Sequence, residues 1–276
     1  MTTLPSDIES TVSNALREDV GSGDITAQLI GHDTQANASI YARENAIFCG
    51  TPWANEVLRQ VDPSASIQWH VQDGDSIESD QRIASLSGLA RSLLTAERNI
   101  LNFIQTLSGT ASICFEYAQM TKHTEVRLLD TRKTIPGLRT AQKYAVKIGG
   151  CHNHRIGLYD AFLIKENHIN ACGSISKAIQ LARQLHSDKP VEVEVETLEQ
   201  LREALTAKAD TIMLDNFPLA QLQQAVALNK GQAKLEASGG VNKSTLVPIA
   251  ETGVDFISIG ALTKNCRAID LSMLFD

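Results

Sequence analysis

From Val126 to the C-terminus, short apolar runs alternate with amphipathic stretches, and this rhythm constrains the fold more than any other feature. The runs are VRLLD (126–130), AFLIK (161–165), VEVEVE (191–196), TIMLD (211–215), KLEAS (234–238) and FISIG (256–260). Helical patterns lie between them: LRTAQKYAVKI, SISKAIQLARQLH, TLEQLREALTAKA, PLAQLQQAVALNK and KSTLVPIAET. Several of these open on Ser, Thr or Pro, residues suited to helix N-termini. Repeated βα units dictate a parallel sheet with right-handed crossovers. The last four strands recur about every twenty residues, a spacing that fits a βα barrel better than an open sheet.

The preceding 120 residues have a different texture. Ile8, Val12 and Leu16 set a helical spacing over residues 5–18, and GSGD then breaks it. Strand-like runs follow at 38–50, 66–71 and 82–88, separated by turn signals. TPWANEVLRQV reads as a short helix with Pro52 near its start, and residues 89–120 read as one long helix. The expected class is α/β, with a separate N-terminal α/β layer.

The charge is unevenly placed. The 276-residue chain carries a net charge of −7. Between Asp130 and His168, seven Lys/Arg face three Asp/Glu, so that window is +4 and the remainder −11. An acidic chain is a poor nucleic-acid binder, and a local cationic cluster is better read as a field for a small anion. No run approaches the ~20 apolar residues of a membrane span. The N-terminus lacks the basic and apolar regions of a secretory signal, and the five scattered cysteines suggest reduced thiols, so a cytoplasmic protein is expected.

Most strands of the second half end in polar groups: Asp130 with Arg132 and Lys133, then Lys165, Glu194, Asp215, Ser238-Gly239-Gly240 and Gly260. In βα barrels the strand C-termini build the active site. Arg132 offers a planar fork for carboxylate or phosphate, and Lys133 an adaptable charge. His154, Arg155 and Lys165 extend the cluster towards a polyanionic small molecule. Strand alternation puts Glu192, Glu194 and Glu196 on the inner face and the valines against helices. Inner carboxylates near the mouth, with Asp215 on the next strand, suit sugar hydroxyls or hydrated Mg²⁺. EASGG and SIGA supply small-residue turns where backbone N–H groups can approach a phosphate. CHNH (151–154) lacks the second ligand cluster that a structural zinc site needs. On intervening helical residues, Lys143 and Lys147 are expected to be solvated or to face another subunit.

These residues meet a family. LREDVGSGDIT, TAERNILNFIQTLSGTAS, LLDTRKTIPGLR, KYAVKIGG, NHRIGLYDAFLIKENHI, VEVEVE, IMLDNF and GVDFISIGALT together resemble quinolinate phosphoribosyltransferases nearly end to end. His152 departs from the pattern, standing where a small residue is expected. The resemblance implies the type II phosphoribosyltransferase fold: an N-terminal α/β sandwich (1–120), an incomplete βα barrel of about seven strands (121–267), and a tail (268–276) returning to the first domain. It implies transfer of phosphoribose from 5-phosphoribosyl 1-diphosphate to quinolinate with loss of CO₂, yielding nicotinate mononucleotide and requiring Mg²⁺. The implied quinolinate pocket comprises Arg132, His154, Arg155 and Lys165, with Thr131 and Lys133 close by. Arg98 would enter it from the partner of a homodimer. Glu194 and Asp215 would hold ribose hydroxyls and Mg²⁺, directly or through water. Ser238, Gly239, Gly240, Ile259, Gly260 and Ala261 would cradle the 5-phosphate. The catalytic set so implied is Lys133, Lys165, Glu194 and Asp215. Three other readings are open at this level: a Schiff-base lyase using Lys165, a phosphoribosyltransferase for another anionic ring, and an anion-binding protein.

Overall fold

The computed structural model describes residues 3–276, which divide into two compact units. The first comprises residues up to 116, then 134–150 and 262–276. It contains helix α1 (Ile8–Val20), strands β1 (Gln35–Ala42) and β2 (Ala46–Ile47), helix α2 (Thr51–Val61), and strands β3 (Ser66–Trp69), β4 (Ser76–Ile77) and β5 (Arg82–Leu89). Helix α3 (Ala90–Thr121) starts here, and α4 (Arg139–Ile148) and strand β12 (Leu271–Phe275) also belong to this unit. An antiparallel sheet has the order β12-β1-β5-β3, and β2 pairs with β4. The run at 38–50 is thus two strands. Arg43–Asn45 break it, with Arg43 bonded to Asp80 and Asn45 capping Ser79. The core of this unit gathers Phe48, Trp53, Ile83, Leu93, Ile104 and Ala145, all fully buried. Trp53 meets Tyr144 edge-on at 5.3 Å, an arrangement favoured by the ring quadrupoles.

One expectation fails on α4. Lys147 is exposed, but Lys143 is buried at 1% exposure, within a run where every residue from Ala141 to Val146 is covered. Along that run the helix is covered all round, so the Lys143 ammonium is held by protein groups.

The second unit comprises residues 117–133 and 151–261. Its strands are β6 (Arg127–Leu129), β7 (Phe162–Ile164), β8 (Val191–Val195), β9 (Thr211–Asp215), β10 (Lys234–Ser238) and β11 (Phe256–Ser258). The connecting helices are α5 (Glu166–Cys172), α6 (Ile175–Leu185), α7 (Leu198–Thr206), α8 (Leu219–Asn229) and α9 (Lys243–Ala250), and α10 (Ala261–Lys264) follows β11. The six strands form one parallel sheet in the order β6-β11-β10-β9-β8-β7. A single bridge, Leu129 with His152, continues it beyond β6. No ladder joins β7 back to that edge among the described residues, so the barrel is incomplete. His152 makes this bridge through its backbone while its side chain is exposed, which explains why a large residue is tolerated there.

Register sorts the side chains. Val193, Ile212 and Leu235 are aligned across β8, β9 and β10 and fully buried. The alternate row aligns Glu194, Met213 and Glu236, and a second aligns Asp215 with Ser238. Because strand side chains alternate, the first row packs outward under the helices and the others point inward.

Candidate active site

A cavity of about 420 Å³ opens among the C-terminal ends of the parallel strands. Thr131, Arg132, Lys133, His154, Arg155, Lys165, Glu194, Asp215 and Ser238 line it, together with Leu163, Met213, Glu236 and Ser258. Four cations therefore face two carboxylates at the mouth, Glu194 and Asp215, before Glu236 is considered. Gly239, Gly240, Ile259, Gly260 and Ala261 follow directly on the ends of β10 and β11 but are not part of the lining. Ile259 is buried, and its N–H donates to Leu129 O at 2.9 Å. Arg98 belongs to the first unit, on α3; its side chain is 59% exposed and lies 3.8 Å from Glu97.

Local structure fixes several of these groups. Asp130, fully buried at the end of β6, accepts the N–H of His154 at 2.9 Å and the side-chain amide of Asn153 at 2.6 Å. Lys165 follows β7 in an extended conformation, and its N–H donates to His168 Nδ1 at 3.0 Å at the start of α5. Its ammonium pairs with Glu194. Asn216 has φ of 56°; its amide donates to Asp215 at 2.7 Å, and its N–H to Ser238 O at 2.8 Å. Gly239, at φ 100°, lies so close that a Cβ there would sit 2.1 Å from Asn216 Oδ1. Only glycine allows that approach. Gly260 passes under the aliphatic stem of Lys133, where a Cβ would be 3.2 Å from Cδ.

The two arginines of the cleft repel one another. Burial, and then the like charge of Arg132, hold the Arg155 guanidinium below its ordinary pKa, with Glu192 and Asp160 opposing. Arg155 Nε is buried without a hydrogen-bond partner. Two guanidiniums held together in a partly dry cleft favour an anionic ligand bonded to both.

Deeper in the cavity lies an acidic counterpart. His154 Nε2 is 2.9 Å from Glu192 Oε2 and 3.6 Å from Glu236 Oε2. His154 Nδ1 accepts the N–H of Arg155 at 2.8 Å, so the proton of the neutral ring resides on Nε2. His154, Glu192 and Glu236 present atoms within 4.8 Å of one another. That spacing could bridge a cation, but the histidine nitrogen facing the carboxylates is the protonated one. With that proton in place, hydrogen bonds hold the cluster. The hard oxygens of Glu194 and Asp215, on adjacent strands and facing one cleft, suit Mg²⁺ better. Burial, and then the charge of Glu192, push the Glu236 carboxyl up to about 8, with His154 opposing. Between the ordinary glutamate value of 4.5 and about 8, folded Glu236 keeps a proton that the unfolded chain has lost. The contribution of Glu236 to stability is therefore full below the lower limit and is lost as pH rises through that window. Denaturation midpoints across pH 4.5 to 8 are expected to fall more steeply for the natural chain than for Glu236→Gln; parallel curves would contradict it.

Glu236 was not singled out in the sequence. Its signal was available, since a lone acid in KLEAS lies two residues before Ser238 and so on the same strand face.

Comparison with known proteins places the chain in a family. Residues 24–108 match the family described as quinolinate phosphoribosyl transferase, N-terminal domain, and residues 110–274 its C-terminal domain. The chain is 44% identical to a probable carboxylating nicotinate-nucleotide pyrophosphorylase of Bacillus subtilis, covering 93% of this chain and 89% of that protein. It is 40% identical to the decarboxylating quinolinate phosphoribosyltransferase 2b, mitochondrial, of Nicotiana tabacum, covering 98% and 82%. The solved nicotinate-nucleotide pyrophosphorylase of Francisella tularensis superposes with a TM-score of 0.95 at 50% identity, covering 99% and 98%.

Proposed function

The chain belongs to the quinolinate phosphoribosyltransferase family, and from this premise we propose that it joins quinolinate to 5-phosphoribosyl 1-diphosphate, releasing diphosphate and CO₂ and yielding nicotinate mononucleotide for NAD biosynthesis. The observation that carries the reading is the cavity itself. Arg132, Lys133, Arg155 and Lys165 converge on one cleft, and a dicarboxylate is the ligand their number and charge suit. The guanidiniums and Lys165 orient the ring so that its nitrogen faces the anomeric carbon. Neighbouring Glu194 and Asp215 hold the ribose hydroxyls and steady positive charge developing on the sugar. Both would also hold Mg²⁺, which when bound supplies charge to offset the departing diphosphate. The turns at Ser238–Gly240 and Ile259–Ala261 take the 5-phosphate. Lys165, already paired with Glu194, acts as a charge rather than a Schiff-base nucleophile. Five free thiols support a cytoplasmic setting. No helix among the described residues is long and apolar enough to cross a membrane.

Incubation with quinolinate, phosphoribosyl diphosphate and Mg²⁺ is expected to give nicotinate mononucleotide and diphosphate in equal amounts. Product formed from nicotinate instead, and not from quinolinate, would overturn the assignment.

Arg98 is expected to complete the site of the other subunit in a homodimer. Arg98→Ala and Arg132→Ala should each be nearly inactive alone. Dissociated and reassociated together, they should recover about a quarter of natural activity, because half of the random dimers are mixed and each has one intact site. No recovery, with mixed dimers demonstrated, would place Arg98 outside the shared site.

A further inference from the structure

We propose that Glu236 is the acid that protonates C2 of the pyridine ring after CO₂ has left. The assignment rests on the reaction proposed above and concerns a step for which that reading names no residue. Loss of CO₂ breaks the bond between C2 and its carboxylate and leaves the electron pair on C2, beside the positively charged ring nitrogen. The product carries hydrogen at that carbon, so one proton must be delivered.

Glu236 projects from β10 into the cavity, yet its side chain is 1% exposed. It faces Glu192 of β8, and their carboxylate oxygens lie within 4.8 Å. Oε1 of each is buried without a hydrogen-bond partner. Two carboxylates this close in a dry site do not both ionise, and they hold one proton between them. The geometry also says which one carries it. The Nε2–H of His154 is 2.9 Å from Glu192 and 3.6 Å from Glu236, so the histidine bonds Glu192 and the shared proton is left to Glu236, burial outweighing the Ser258 hydroxyl that favours its carboxylate. The raised pKa of Glu236 agrees.

Other groups lining the cavity are less suited. Lys165 is tied to Glu194, and His154 has both ring nitrogens engaged. The arginines do not release protons. A neutral carboxyl is a stronger acid than a lysine ammonium or a hydroxyl. In the step, the C2 electron pair takes the carboxyl proton of Glu236, giving the C2–H bond and a Glu236 carboxylate. Water re-protonates that carboxylate when product leaves. Each turnover thus takes up one proton from solvent.

The simpler alternative is that the shared proton only neutralises a buried pair. Glu236→Gln separates the two, because it preserves shape and removes the acid. The variant is expected to bind quinolinate with natural affinity by calorimetry and to release diphosphate from a first turnover. Nicotinate mononucleotide formation should fall by about 10²-fold or more, while the N-ribosylated dicarboxylate accumulates and is seen by mass spectrometry. In a 1:1 H₂O/D₂O mixture, the H:D ratio at C2 of the product should differ between natural and variant enzymes, since the donor has changed. A variant that forms product at the natural rate with the same H:D ratio overturns the proposal. So does one that loses quinolinate binding and product together, which marks a positioning role. If the Gln variant does not fold, Glu236→Asp provides the test: an acid at shorter reach should slow product formation without slowing diphosphate release, and equal slowing of both overturns the proposal. A natural enzyme that makes no nicotinate mononucleotide would instead refute the underlying reaction.

Discussion

Arg132→Ala is expected to lower kcat/KM for quinolinate by about 10²- to 10³-fold, with no comparable loss of stability. A guanidinium on a carboxylate makes two charge-assisted bonds, each worth roughly 1.5–3 kcal/mol, and truncation also leaves the ligand charge unmatched. Arg132→Lys should recover only part of the loss, because a point charge cannot reproduce the fork. Steady-state kinetics with quinolinate varied, at saturating phosphoribosyl diphosphate, measures both. Activity within threefold of the natural enzyme in Arg132→Ala would remove the residue from the substrate site. The like charge of Arg155 next to it gives a further expectation: the alanine variant relieves repulsion in the empty cleft, so its melting temperature should not drop.

The second large effect concerns a residue that touches no substrate. Asp130→Ala is expected to destabilise the chain by about 2–4 kcal/mol and to lower turnover as well. Asp130 is 0% exposed and bonds both the backbone of His154 and the side chain of Asn153. Its removal takes the acceptor from two partly buried donors, each loss costing roughly 1–3 kcal/mol. It also releases the segment that carries His154 and Arg155. Chemical denaturation and kcat/KM together provide the check. A variant as stable as the natural chain, with turnover intact, would show that the loop is positioned by other contacts.

Much of the site is legible in the chain as written. Arg132, Lys133, Lys165, Glu194, Asp215 and Ser238 each stand at the end of an apolar run, and a parallel sheet gathers such ends at one side. Period-two alternation in VEVEVE separated Glu192 and Glu194 from the valines, and those valines are fully buried. Glu196, read as the third inner carboxylate, lies beyond β8 and is exposed, its N–H taken by Gln200 in the cap of α7. The strand ends one residue before it. Lys143 was misjudged because burial on α4 is set by what surrounds the helix, which periodicity alone does not contain.

The sequence by itself determined most of the strand ends and the alternation of inward and outward residues along each strand, since these are local properties of a few adjacent residues. It also determined the family, through long motifs. Only the tertiary structure decided which inward residues meet. Glu192 and Glu236 lie on strands separated by β9, and His154 arrives from a loop pinned by Asp130. Their approach depends on the curvature of the whole sheet, a sum over many strand pairings. No short segment records that sum, so the buried acid pair emerges only once the strands are assembled.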